Sequence, residues 1–165
     1  VQKHQSPSQP RSPKKRSEPT AAARALRLLA RRDYTRLELE RKLAAHVEDP
    51  AELQALLDDF TSRGWISETR AVDQLVHAKR ARFGAGRIRQ ALIERGVSQA
   101  LMASTLAGLK DSELEAARAV WARKFKAPPV SAAERARHVR FLQYRGFSLD
   151  VAMRVIRGHQ PNEDE

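Results

Sequence analysis

RFGAGRIRQALIERGV (residues 82–97) places two glycines one residue apart, ahead of an arginine-rich run that closes on Gly96. Two different folds could use such a stretch. A dinucleotide cradle needs G-x-G-x-x-G after a strand, so that helix-start amides can face a pyrophosphate. Here the third glycine position holds Arg89, and the preceding VDQLVHAKRAR has helical composition. A phosphate loop would end in Gly-Lys-Ser/Thr, which is absent. The stretch therefore predicts a turn at Gly84 and Gly86 that opens a short basic helix. Gly96 closes that helix, and Phe83 is expected to anchor the turn in the core.

The rest of the chain supports a helical reading. Ala, Leu and Arg dominate, aromatic residues make up 5%, and β-branched runs of strand length are absent. Helix starts are marked by Thr20, by Thr35 with Glu38, by Asp49 with Glu52, and by Ser131 with Glu134. Pro50 follows its cap directly, where a missing N–H costs nothing. Ser67, Ser98, Asp111 or Ser112, and Ser148 are further candidate caps. Gly64, Gly96, Gly146 and Gly158 stand where helices should stop in a left-handed residue. These signals predict roughly nine helices of about 8 to 16 residues, an all-α class.

Leu43 and Leu92 are about 49 residues apart, and Leu92 to Leu142 and Gly96 to Gly146 repeat at about 50. Each unit carries a basic helix ending in leucine: TRLELERKL, then GRIRQAL, then AERARHVRFL. The period suits an elongated array of three tandem three-helix modules at 21–66, 67–110 and 111–158. Residues 1–20, almost devoid of apolar side chains, are expected to form a disordered basic arm, and 159–165 an acidic tail. In RGWIS (residues 63–67), Gly64 should end a helix while Trp65 and Ile66 cross into the core.

A net charge of +11 favours a polyanionic partner. The excess lies in the arm and the last two modules, since residues 21–80 are nearly balanced. Arginines whose forks could hold phosphate or carboxylate oxygens are Arg82, Arg87, Arg89, Arg95, Arg137, Arg140 and Arg145. A solvated helix face explains them equally well. Catalytic patterns fail: the five histidines are scattered, no H-E-x-x-H occurs, serines sit at caps, and cysteine is absent. No cofactor, metal or enzymatic activity is expected. The apolar runs are too short to span a bilayer and the first residues lack a secretory h-region. A cytoplasmic, monomeric protein is the expectation.

Two pieces together carry a family resemblance. RGWISETRAV matches a Gly-aromatic-Ile-(acidic)-x-x-x-Ala corner, with Ser67 where an acidic residue is common and Glu68 next to it. ARFGAGRIRQALIERGV matches an aromatic-Gly-x-x-Arg-Ile-x-x-x-Leu-x-x-(basic)-Gly pattern at Phe83, Gly84, Arg87, Ile88, Leu92, Arg95 and Gly96. In this order, from about residue 21 to 158, the chain resembles the RecX family of bacterial RecA regulators. The resemblance implies a non-enzymatic modulator lying along the groove of a RecA–DNA filament. It further implies lowered strand exchange, ATP hydrolysis and coprotease function, with non-specific contact to single- or double-stranded DNA secondary. The rival reading is a DNA-binding architectural protein held mainly by counterion release.

Overall fold

The computed structural model describes residues 18–158. The expected arm, apart from its last three residues, and the acidic tail lie outside the described residues. Eight α-helices and one 3-10 turn make up the described chain: α1 (Ala21–Leu29), α2 (Arg36–Leu43), the turn (Ala44–His46), α3 (Pro50–Ser62), α4 (Glu68–Lys79), α5 (Ala85–Glu94), α6 (Gln99–Lys124), α7 (Ala132–Tyr144) and α8 (Leu149–Arg157). No strand occurs among the described residues.

Three separate clusters of buried apolar side chains give the array its cores. Leu39, Leu43, Leu53, Leu57, Phe60 and Ile66 form the first. Val72, Leu75, Ile88, Leu92, Met102 and Leu109 form the second. The third gathers Ala117, Trp121, Leu142, Phe147, Val155 and Ile156. Each is small, and none of its short helices would persist without packing on neighbours.

Nine expected helices become eight because α6 runs unbroken for 26 residues. Its first half supplies Met102 and Leu109 to the second core, and its second half Ala117 and Trp121 to the third. Asp111 and Ser112 therefore do not cap a helix. Ser112 donates back to the Leu109 carbonyl and accepts from Arg80 Nη2 at 2.7 Å, so its hydroxyl is used without breaking the helix. One rod thus serves as the last helix of one module and the first of the next.

Local capping chemistry explains most other boundaries. Thr35 accepts from the Glu38 amide while Glu38 accepts from the Thr35 amide, a complete reciprocal box. Asp49 instead accepts from Ala51, and Glu134 reaches the Val130 amide. Neither of these boxes is reciprocal as expected. Ser98 makes no cap bond, because its hydroxyl donates to Glu68 at 2.9 Å. Gly64, Gly96 and Gly146 are left-handed, at φ +71°, +67° and +90°, each in a Schellman-type stop. Gly158 is a correction: at φ −66° it continues the right-handed turn. Trp65 is another, since it is 41% exposed and only Ile66 enters the core. The corner turns the indole outward, edge-on to Phe60 at 4.9 Å with the Arg63 guanidinium over it.

His138 is the one buried histidine among the described residues. Its Nδ1 accepts from Trp121 Nε1 at 3.3 Å, and its ring stacks on Phe125 at 3.6 Å. Burial, with the positive charge of Arg137, holds it below the ordinary imidazole range, and Glu134 opposes only in part. The unfolded chain therefore takes up this proton first as pH falls. Stability is complete above the unfolded value of about 6.5 and declines as pH drops through it toward the lowered folded value. A loss on the order of 1 kcal/mol is expected when the acceptor role is forfeited. Melting curves of wild type and His138→Phe between neutral and mildly acidic pH check this: the variant should show the shallower dependence.

Candidate functional site: basic clefts beside the module seams

The glycine pair of the opening stretch meets protein backbone. The Gly84 amide donates to the Arg145 carbonyl and the Gly86 amide to the Gly146 carbonyl, both at 2.9 Å. A Cβ on Gly84 would lie 2.6 Å from Gly146 and Phe147 backbone atoms, so only glycine permits this approach. Arg87 Nε donates to the Tyr144 carbonyl at 3.0 Å, with its guanidinium over the exposed Tyr144 ring. The start of α5 is thus docked on the end of α7.

A matching seam joins the first two modules. Thr35 Oγ1 donates to the Arg95 carbonyl at 2.6 Å, and Arg41 Nη1 to the Glu94 carbonyl at 2.9 Å. A Cβ on Gly96 would lie 2.5 Å from Leu37 Cδ2. Arg95 Nε pairs with Glu38 at 3.4 Å, and Arg32 Nη2 meets the same carboxylate at 3.0 Å. Burial alone would raise the Glu38 carboxyl, but Arg32, the Thr35 amide and Arg95 together hold it below the usual range. The start of α2 is docked on the end of α5.

These seams bring cations together that are distant in sequence. Arg82, Arg123, Lys124 and Arg145 surround a cleft of about 200 Å³ floored by Val120 and Phe141, with no carboxylate in its lining. Arg145 lies over the rings of Phe83 and Phe141, at 5.6 and 5.4 Å. Arg123 Nη1 donates to the Ala81 carbonyl at 3.0 Å, which pins it to the α4–α5 loop. Phe83 is only half-buried, under Lys79, Arg82 and Arg145. Its expected role as a core anchor shrinks to a platform for cations. Such a cleft can hold phosphate or carboxylate oxygens from several sides.

The seven arginines singled out from sequence therefore divide. Arg82 and Arg145 line the cleft, whereas Arg87 and Arg95 tie modules together. Arg89 and Arg140 are exposed, and Arg137 lies 5.9 Å from the Phe125 ring centroid. Ile88, Leu92 and Ile66 are core, and Gly64 sits in a corner with open space around it. Sequence reading missed Arg123 and Lys124, although ARKFK at the end of α6 is basic enough to have flagged them. It also missed a second cleft, of about 310 Å³, lined by Arg24, Arg27, Arg31, Lys42 and His46 beside Leu28 and Leu43. Near-zero net charge concealed it, because Asp33, Glu38, Asp58 and Asp59 are committed to other arginines. Among the described residues no helix is long and apolar enough to cross a membrane, and no cluster of three His, Asp or Glu could hold a metal ion.

Comparison with known proteins gives one consistent result. A family model described as RecX, third three-helix domain, matches residues 111–156. The regulatory protein RecX of Leptothrix cholodnii is 48% identical over 143 residues, covering 86% of this chain and 91% of that protein. That of Ralstonia nicotianae is 43% identical over 136 residues, covering 82% and 86%. The crystal structure of RecX from Lactobacillus salivarius superposes with a TM-score of 0.72 at 17% identity, over 84% of this chain and 93% of that one.

Proposed function

The chain belongs to the RecX family of regulatory proteins, and from that membership we propose that it binds the RecA–DNA filament and lowers its recombinase, ATPase and coprotease activities. The observation that supports this reading is the carboxylate-free basic cleft where the second and third modules meet, paired with a second basic cleft on the first module. Two anion sites on different modules of one array suit a partner that repeats. Several weak contacts along a filament then sum by avidity, and one deep pocket is unnecessary. The regulation is by binding, in the cytoplasm where the filament forms, and DNA phosphates are a secondary contact.

The DNA-dependent ATPase of preformed RecA filaments tests it. With DNA saturating, inhibition at sub-stoichiometric protein is the expected result. If inhibition disappears once DNA is in excess, the protein acts by competing for DNA, and the architectural reading replaces this one.

A further inference from the structure

Both seams use one pairing, in which the start of a second helix lies on an Arg-Gly corner. The docked helix contributes an arginine, in the last turn of α2 and in the first turn of α5, that donates to the carbonyl before the corner arginine, and an N-cap that donates to the corner arginine's own carbonyl. Arg41 and Thr35 do this against Glu94 and Arg95. Arg87 and the Gly84 amide do it against Tyr144 and Arg145.

Each half of the pairing also occurs elsewhere without its mate. The start of α7 repeats the start of α2 at the same spacing: Ser131, Glu134 and Arg137 correspond to Thr35, Glu38 and Arg41. Ala133, exposed and small, stands where Leu37 and Gly86 meet their corners. Val130, just before the cap, is 90% exposed. Between α3 and α4, the corner Arg63-Gly64-Trp65 has the same Schellman geometry, although it closes the third helix of its module. Space around Gly64 is open, and the Ser62 and Arg63 carbonyls accept no hydrogen bond among the described residues. Arg63 holds an exposed pair with Asp59 and lies over the Trp65 ring, and Trp65 is half out of the protein.

We propose that the start of α7 in one molecule docks on the Arg63-Gly64-Trp65 corner of a second copy, so that molecules add head to tail. Ser131 donates to the Arg63 carbonyl, Arg137 to the Ser62 carbonyl, and Glu134 pairs with Arg63 as Glu38 does with Arg95. Val130 and Trp65 cover one another. The contact is heterologous and does not close, so it adds molecule to molecule, although it meets the end of a third helix where the internal seams meet the end of a second. One such seam with +11 on each partner is weak, which leaves dilute protein monomeric and makes the contact count where copies are already aligned.

The absence of cysteine allows a clean test on the full chain without RecA. Ser62→Cys and Ala133→Cys variants are mixed at high concentration with a short bismaleimide. Cross-linked dimer in the mixture should exceed that of either variant alone by about fivefold, and Arg63→Glu in the Ser62→Cys partner should return it to background. Glu134→Lys in the Ala133→Cys partner should then restore it, with circular dichroism showing that α7 still forms. Equal yields in all three samples, dominance of Ser62-to-Ser62 dimers, or indifference to Arg63→Glu would each overturn the proposal.

Discussion

Gly84→Ala is expected to destabilise the chain by about 3 kcal/mol, lowering its melting midpoint by roughly 6–12 °C. Gly84 has φ −80°, which any residue adopts, so the cost is purely steric. The added Cβ would sit 2.6 Å from three backbone atoms of Gly146 and Phe147, and backbone cannot rotate away as a side chain can. Relief requires the second and third modules to separate, which sacrifices two 2.9 Å backbone hydrogen bonds. Gly64→Ala provides the opposite control. Its φ of +71° is strained for alanine, but nothing lies within 4 Å of the new Cβ. About 1 kcal/mol is expected there from the left-handed backbone alone. Thermal melts of the two variants decide the matter, together with amide exchange at Gly84 and Gly86. Similar losses in both would mean that the seam contributes little and that the glycine pair is only a turn.

The contrast between these glycines shows where sequence is informative. Local chemistry is legible: Thr35 with Glu38, Pro50 after Asp49, and the left-handed stops at Gly64, Gly96 and Gly146 all act within one helical turn. Module periodicity is legible because each core reuses its apolar positions about fifty residues later. What Gly84 touches is not legible, since its partner lies some sixty residues away and is backbone, which carries no side-chain signature. The same limit applies to α6. Asp111 and Ser112 resemble a cap locally, yet neighbours on both sides of the rod keep it helical. Residue type alone places Trp65 in the core. A corner that ends in Trp-Ile can bury only one of the two, and Ile66 takes that place. For the candidate site, charge by segment points to the second and third modules. Only folding separates Arg87 and Arg95, which hold the seams, from Arg82 and Arg145, which line the cleft.

That separation sets the other large effect. Replacing Arg82, Arg123 and Lys124 together with glutamine should weaken binding to a polyanion by tenfold or more at moderate salt. The slope of log K against log salt should shrink by about two to three, roughly one unit for each phosphate that is no longer neutralised. Glutamine keeps a donor on a shorter stem, so the Arg123 link to the Ala81 carbonyl has a partial substitute and the melting point should hold. Arg145 is left in place because its carbonyl is part of the seam and its guanidinium packs on Phe83 and Phe141. Arg87→Ala with Arg95→Ala should behave in reverse, lowering the melting point while leaving the salt slope nearly unchanged. The two variants should also differ on preformed RecA filaments. The cleft variant should need about tenfold more protein for the same ATPase inhibition while remaining fully folded. If it inhibits like wild type but has lost its salt-dependent polyanion binding, the cleft holds DNA alone and the filament is gripped elsewhere. If neither measurement moves, Arg82, Arg123 and Lys124 are a solvated face, and the cleft between the second and third modules is not the site.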